Sequence, residues 1–181
     1  MKNDARVRYT KQALRDSLLR CLEGKSISQV TVKEVCDGAE LNRATFYNHY
    51  RDCYDLLEQL ENQMIEEFWD SLHLMSSLNT EKLVSSIMDM IDKNRDLCQV
   101  LIFDRGDDSL VRKMVEIAKE QSLELWKRYL TRAGDEELDM LFTCLASGLL
   151  NVIIQSYGRY DREKIVNFIN FTVENCLTPY L

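Results

Sequence analysis

The chain of 181 residues is 45% hydrophobic and carries a net charge of −7, the composition of an ordinary globular protein. Its six cysteines are scattered without a CxxC pair, and its N-terminus shows no basic-plus-apolar leader. These features predict reduced, mostly buried thiols in a cytoplasmic protein and exclude a disulfide-stapled secreted one. One proline and six glycines leave long stretches free to form helices.

The charge is divided unevenly along the chain. Residues 1–51 hold ten Lys/Arg against six Asp/Glu, a net charge of +4, whereas residues 52–181 hold thirteen against twenty-four, a net charge of −11. A basic head on an acidic body favours a protein that approaches a polyanion with one end. The stretch 5–15 has no acid, and its basic residues are Arg6, Arg8, Lys11 and Arg15. We interpret it as an N-terminal arm and first helical turn near phosphates, with a merely solvated terminus as the alternative.

Three helices are predicted within the first 51 residues. Apolar residues from Leu14 to Leu22 form the inner face of the first helix, which is expected to end near Gly24. Thr31 and Glu34 have the spacing of a capping box at the start of the second helix. Asn42 is the N-cap candidate of the third. The short turn 39–41 between these last two helices completes the layout of a DNA-binding helix-turn-helix.

The third helix sorts into two faces. Phe46 and Tyr50 are spaced i, i+4 and are expected to pack inward. Its other rows carry hydrogen-bonding groups and a methyl group that could contact base edges or phosphates: Arg43, Ala44, Thr45, Tyr47, Asn48 and His49. No acid occurs from Leu41 to Arg51, as expected for a helix between rows of phosphates. A solvated helix of a small bundle is the alternative, which the order of caps and helices disfavours.

The segment from Tyr9 to Leu57 resembles the N-terminal domain of the TetR family of bacterial transcription regulators. The resemblance is carried by the helix opening at Thr10, the run TVKEVCDGAELN and above all ATFYNHYRDCYDLL, which is similar to the family signature T-[LF]-Y-x-[HY]-[FY]. It implies an all-α fold of about nine helices. A three-helix helix-turn-helix domain would occupy residues 1–51, and a helical effector-binding and dimerisation domain would occupy residues 52–181.

The resemblance and the two-faced helix together predict the residues that contact DNA. They are Thr31, Lys33, Arg43, Ala44, Thr45, Tyr47, Asn48, His49 and Arg51. The partner implied is double-stranded DNA with a palindromic operator, bound by a homodimer that we expect to act as a repressor.

Two positions depart from the family pattern. Glu40 stands where a turn glycine is usual, which predicts backbone strain, and Cys53 stands where a phosphate-contacting lysine is common. Arg51 is the nearest substitute for that lysine. The Cys53 thiol is also a candidate redox switch. Both departures would equally suit the alternative function, a helical adaptor or co-regulator that kept the fold and lost specific DNA binding.

The body is predicted to be a run of helices. Apolar residues at 3–4 spacing indicate a long helix from Asp52 to about Met75, which would act as the lever between head and body. Thr80 caps the next helix, and a short helix around Leu97 follows it. A charged turn at 104–108 precedes a helix over 109–131.

The last two helices are expected to form a dimer seam. Residues 141–157 carry no charge, yet they are short for a membrane span and include polar residues. A helix that is apolar all round is otherwise buried on every side. The final helix, 161–177, is apolar on more than one face. We therefore predict no membrane and a four-helix homodimer seam through about 136–158 and 161–177, which resembles the family's arrangement.

A candidate effector pocket is drawn from the aromatic residues of the body. The set is Phe68, Trp69, Phe103, Trp126, Tyr129 and Phe142, with Asn151 or Gln155 as polar contacts. A plain aromatic core is the alternative. The runs NRDLCQVLIF and GDDSLVRK resemble a C-terminal type found in Gram-positive bacteria, some members of which work with a protein partner. A small-molecule effector and a protein co-regulator therefore both remain open.

No catalytic site, metal site or cofactor is predicted. The two histidines, His49 and His73, have no Cys or His partner at ligand spacing. The sequence contains no glycine-rich phosphate loop and no nucleophile elbow. A small helical enzyme is accordingly the alternative that the sequence disfavours.

Overall fold

The computed structural model describes residues 2–72, 80–104 and 109–181. Within them the chain forms nine α-helices and no strand, which confirms the all-α prediction. The helices are α1 Lys2–Leu22, α2 Val32–Gly38, α3 Arg43–Tyr47, α4 Cys53–Leu72, α5 Glu81–Lys93, α6 Arg95–Cys98, α7 Ser109–Tyr129, α8 Asp135–Ser156 and α9 Arg162–Leu177. Short 3-10 turns lie at Ile27–Gln29 and Thr178–Tyr180, and a π-helical segment, Gln99–Asp104, follows α6.

The chain divides into two compact units, Met1–Met64 (unit 1) and Ile65–Leu181 (unit 2). The division falls inside α4, whereas the sequence suggested a boundary at 51/52. Leu56, Leu60 and Met64 explain the difference, because all three are buried and extend the core of unit 1 along the first half of α4.

Helix α1 starts earlier than the sequence indicated. The stretch 5–15, interpreted above as an arm, is helical, and α1 begins well before Thr10. Leu14 and Leu18 lie on its inner face and are fully buried. The stretch contains neither proline nor glycine, so no residue in it interrupts a helix.

Helices α1 and α2 approach each other closely at Gly38. The Arg20 guanidinium donates a hydrogen bond to the Gly38 carbonyl at 2.8 Å. A Cβ at this position would lie 2.4 Å from the Oγ of the buried Ser17. Glycine therefore permits the spacing of the two helices.

The two predicted caps of the helix-turn-helix are present. The Glu34 N–H donates to Thr31 Oγ1 at 3.3 Å, and the Thr31 N–H donates to Glu34 Oε2 at 2.9 Å, which closes the capping box. The Thr45 N–H donates to Asn42 Oδ1 at 2.8 Å. Glu40 has φ 55°, so the strain predicted for this non-glycine turn residue is found. The Leu41 N–H donates to the Cys36 carbonyl at 2.9 Å and closes the turn, and the Leu41 side chain is half-buried.

Unit 2 packs its long helices around an apolar core and fixes them with polar side chains. Arg162 of α9 pairs with Asp89 of α5 and donates to the Ser85 carbonyl at 2.7 Å. Thr80 precedes α5 but does not cap it, because its hydroxyl donates to Asn170 instead. The predicted continuation of α4 to Met75, the charged turn 105–108 and His73 lie outside the described residues.

Candidate functional sites

Helix α3 ends at Tyr47, earlier than the sequence predicts, so that Asn48, His49 and Tyr50 lie just beyond it. The side chains of α3 and of these residues are still divided into a buried and an exposed set. Phe46 and Tyr50 are buried, and their rings lie 5.7 Å apart. Tyr47 is 57% exposed and meets the Phe46 ring edge-on at 5.6 Å. Arg43, Ala44 and Asn48 are exposed, whereas Thr45 and His49 are half-buried. We name the exposed residues Arg43, Ala44, Tyr47 and Asn48 the α3 ridge. The buried rings of Phe46 and Tyr50 lie beneath it.

Arg43 is the most available cation of this ridge. It makes no ion pair within the part of the chain that the structure describes, and α3 itself contains no acid. A guanidinium that is not engaged internally can make bidentate contacts with a base edge or a phosphate. The nearby exposed acid is Glu40, in the turn.

The other predicted DNA-contacting residues around α3 are partly engaged within unit 1. Lys33 lies 3.6 Å from Asp37, both exposed, and the Thr31 hydroxyl donates to Glu34 at 2.8 Å. The Arg51 guanidinium lies 3.5 Å from Asp55 Oδ1 but remains mostly exposed. The Lys33–Asp37 pair is exposed and therefore weak, and the Arg51 guanidinium is itself exposed although Asp55 is mostly buried, so DNA phosphates could compete for both cations.

Glu34 is the negative centre of a small network at the start of α2. The Lys25 ammonium bonds its carboxylate, and the N–H and hydroxyl of Thr31 bond it as well. These bonds, the one from Lys25 first, lower the pKa of Glu34 to about 2. The carboxylate therefore stays ionised at neutral pH and holds the Thr31 N-cap in place.

Cys53 is poorly suited to the redox role considered for it. Its side chain is 3% exposed, and burial, with the nearby Asp52 carboxylate, raises the pKa of the thiol to about 11. The thiolate is the reactive form, so this cysteine is inert at neutral pH. Cys36, Cys53 and Cys98 are buried and Cys21 is half-buried, whereas Cys144 and Cys176 are exposed.

Unit 1 also exposes basic residues along α1. Arg6, Arg8 and Lys11 are exposed, and Arg15 lies 3.3 Å from Asp16. These cations are thus carried on a helix and not on an extended arm, which fixes their spacing. They remain candidates for phosphate contacts.

Unit 2 contains an apolar cavity of about 100 Å³. Three of the predicted pocket residues line it, Phe68 of α4, Trp126 of α7 and Phe142 of α8. The Trp126 and Phe142 rings meet edge-on at 5.3 Å. These residues form an aromatic core cluster and also line a cavity. The structure therefore combines features of the pocket and of the plain aromatic core that the sequence analysis gave as alternatives.

The remaining predicted pocket residues lie elsewhere. Trp69 follows Phe68 on α4, and successive residues of a helix point about 100° apart, so it does not share the cavity wall. Tyr129 is exposed near the end of α7, and Phe103 stacks on Tyr157 at 5.5 Å. Asn151 is exposed and lines a separate groove between α7 and α8; Gln155 is exposed as well.

Ser122 is the cavity residue that sequence reasoning missed. It is buried on α7 and lies one helical turn from both Ala118 and Trp126, which are also buried. A serine in the middle of an apolar i, i+4 row is the signal that could have found it.

Helices α8 and α9 leave a face uncovered that is uncharged along α8 and carries Lys164 beside Phe168 on α9. Thr143, Ser147, Asn151 and Gln155 form an exposed i, i+4 stripe on α8. On α9, Phe168 and Phe171 are 53% and 67% exposed, which is unusual for two phenylalanines one turn apart. A groove of about 370 Å³ lies beside Phe168 on this face. We name the exposed stripe and the two phenylalanines the α8/α9 face.

The composition of α8 would also suit a membrane span. It is 22 residues long, with a mean hydropathy of 1.6 over its most apolar window, 22% of which is buried. One such helix is weak support for a membrane, and its exposed stripe of polar side chains is poorly matched to lipid.

Comparisons with known proteins agree with this architecture. A TetR-type family model, described as the transcriptional regulator C-terminal region, matches residues 79–157. The uncharacterised HTH-type transcriptional regulator YxbF of Bacillus subtilis (strain 168) is 32% identical over 77 residues, which cover 42% of this chain and 20% of that protein. The match thus spans about a fifth of the length of this curated relative.

Two solved structures share the fold over nearly the whole chain. A proposed fatty acid metabolism regulator from Clostridium perfringens has a TM-score of 0.62 at 13% identity, covering 93% of this chain and 98% of its own. A proposed TetR-family transcriptional regulator from Syntrophomonas wolfei str. Goettingen has a TM-score of 0.59 at 15% identity, covering 96% of this chain and 97% of its own. At these identities the likeness is one of fold.

The family model matches the C-terminal region, the solved structures match the whole fold, and the helix-turn-helix has the predicted caps and faces. Residues 79–157 are accordingly similar to the C-terminal region of TetR-type transcriptional regulators, and the described chain has the fold of the two solved structures.

Proposed function

We propose that this chain is a TetR-type transcriptional regulator that binds a palindromic DNA operator as a homodimer and represses transcription in the cytoplasm until a ligand or protein partner acts on unit 2. The observation that carries the proposal is the α3 ridge, with Arg43, Tyr47 and Asn48 exposed and no acid in the helix. Such a helix can read base edges in the major groove while flanking cations contact phosphates.

The turn at Glu40 favours DNA binding over an adaptor that has lost it. Although glycine is absent, the backbone adopts the left-handed conformation with φ 55°, and the Asn42 cap of α3 is intact. The departure from the family pattern therefore leaves the geometry of the helix-turn-helix in place. The buried Cys53 supplies no phosphate contact, which leaves Arg51 for that role.

Dimerisation through the α8/α9 face is supported by its chemistry. Phe168 and Phe171 would be covered by a second copy, and Thr143 and Ser147 of the exposed α8 stripe have short side chains that allow close helix packing. A two-fold dimer presents two copies of α3, which can enter successive major grooves roughly 34–36 Å apart on a palindrome. DNA affinity would then depend on the spacing of the two heads.

Helix α4 is the proposed lever for control. It begins in unit 1, and its last turns place Phe68 and Leu72 on the wall of the unit 2 cavity. An occupant that prefers one position of these side chains would shift the helix and hence the spacing of the heads. It would do so only through its differential affinity for the two states.

Selection from random double-stranded DNA tests the function. The wild-type chain is expected to enrich one palindrome, and Tyr47→Ala should bind the selected site more weakly by about 1–3 kcal/mol. Tyr129→Ala, which removes an exposed tyrosine from α7, is the matched control and should leave affinity unchanged. Enrichment of no sequence by a folded dimer would support the adaptor alternative instead.

A further inference from the structure

The apolar cavity of unit 2 contains a polar group that the fold leaves without a partner. Ser122 is 1% exposed, and its hydroxyl makes no hydrogen bond with the residues that the structure describes. Buried hydroxyls are normally paired, because a lost water contact must be replaced. Since Ser122 lines the cavity, a molecule lodged there could provide the missing bond.

The other described wall residues set the character of such a molecule. Their polar groups are the indole N–H of Trp126 and the hydroxyl of Thr80, which already donates to Asn170. None of them is Lys, Arg, His, Asp or Glu. An ionised group would therefore be buried without a counter-ion, which is strongly unfavourable.

The volume limits the size of the occupant. The cavity measures about 100 Å³, and an apolar cavity of roughly 150 Å³ can hold benzene. A single small ring or a short chain fits with slight adjustment of the wall.

We propose that the unit 2 cavity binds a small, uncharged, mainly apolar molecule that bears one hydroxyl or carbonyl group hydrogen-bonded to Ser122. Binding of this molecule involves unit 2 alone. An effect of the molecule on DNA affinity rests on the proposed function. The site differs from the aromatic set expected from the sequence, because its polar contact is Ser122 and not Asn151 or Gln155.

Two size-matched pairs of probes test this class on the full chain without DNA. Phenol and toluene differ in the hydroxyl, and 1-pentanol and butyrate differ in charge. Calorimetry or NMR titration at pH 7 is expected to show phenol binding more tightly than toluene, and 1-pentanol binding where butyrate does not. Equal binding within both pairs, or no binding of any probe at millimolar concentration, would overturn the proposal.

Ser122→Ala then tests the hydrogen bond. The variant is expected to weaken phenol binding by about fivefold to tenfold and to leave toluene binding unchanged. Its melting temperature should rise slightly, since alanine is a better helix former and an unpaired buried hydroxyl is removed, so a folding defect is not expected. Ser28→Ala, at an exposed serine of unit 1, is the control and should change neither affinity. Unchanged phenol affinity in Ser122→Ala would contradict the assigned role.

DNA binding is measured separately with the selected operator. Phenol binding without any DNA binding would refute the regulator and keep the ligand class, whereas operator binding without probe binding would refute the ligand class alone.

Discussion

The two units handle their polar groups in different ways. In unit 1, each helix start of the helix-turn-helix is capped by a side chain, and the Glu34 carboxylate receives three bonds. In unit 2, Ser122 is buried without a hydrogen bond to any described residue, and Phe168 and Phe171 are exposed. Unit 1 thus satisfies the polar groups at these helix starts internally, whereas unit 2 carries the groups on which the proposed ligand and the proposed second copy would act.

The largest expected effect of a substitution is at the α8/α9 face. Phe171→Asp is expected to give a monomer, because a carboxylate would be buried in the proposed seam, and to lower operator affinity by about 100-fold or more through loss of bivalency. Light scattering and DNA-binding titration check both effects. Gln121→Asp, on the exposed side of α7, is the control and should stay dimeric. A dimeric Phe171→Asp variant with normal affinity would show that the seam lies elsewhere.

The polar ridge of unit 1 is tested at Arg43. Arg43→Ala should weaken operator binding by about 1–3 kcal/mol and relax selectivity at one base position if the guanidinium reads a base. A loss that is uniform across sequences, with a smaller salt dependence, would instead indicate a phosphate contact. Arg128→Ala, at an exposed arginine of α7, should change neither property.

Packing between α1 and α2 is tested at Gly38. Gly38→Ala gains helix propensity, but its methyl group would meet Ser17 Oγ, so we expect a net loss of about 1 kcal/mol in the free energy of unfolding. In a Ser17→Ala background the same substitution should be neutral or stabilising. Urea unfolding of the four proteins of this cycle measures the coupling; additive effects would mean that the contact is relieved by simple rotation of Ser17.

The smallest effect concerns acid stability. The folded-state pKa of Glu34, about 2, lies below its ordinary value of 4.5. Its stabilising contribution is therefore complete above about pH 4.5 and is lost as pH falls towards 2. Melting curves should show that Glu34→Gln reduces the difference in melting temperature between pH 6 and pH 3, while Glu23→Gln, at an exposed carboxylate, does not. Parallel curves for wild type and Glu34→Gln would argue against the network.

Sequence rules reached further in unit 1 than in unit 2. Capping, turn strain and the faces of α3 depend on residues within a few positions of one another, so Thr31, Glu40 and Asn42 could be interpreted locally. The wall of the cavity combines α4, α5, α7, α8 and α9, and which of Phe68 and Trp69 enters it depends on helix rotation against distant neighbours. Composition alone does not determine that rotation.

The start of α1 lies earlier than we expected from the sequence. The basic stretch 5–15 suggested an arm because charge dominated its interpretation, yet it contains no helix breaker and continues the helix that Leu14 and Leu18 anchor. Ser122 could have been found from its place in the row with Ala118 and Trp126, but its lack of a partner is a property of the folded chain.

We propose that the α3 ridge contacts the bases of DNA and that a symmetric homodimer presents two copies of this ridge. Native mass spectrometry of the wild-type chain with its selected operator, and with a duplex that carries one half-site, tests this most directly. The account predicts two protomers on the full palindrome and much weaker binding to the half-site. One protomer on each full site, or equal affinity for the two duplexes, would contradict it.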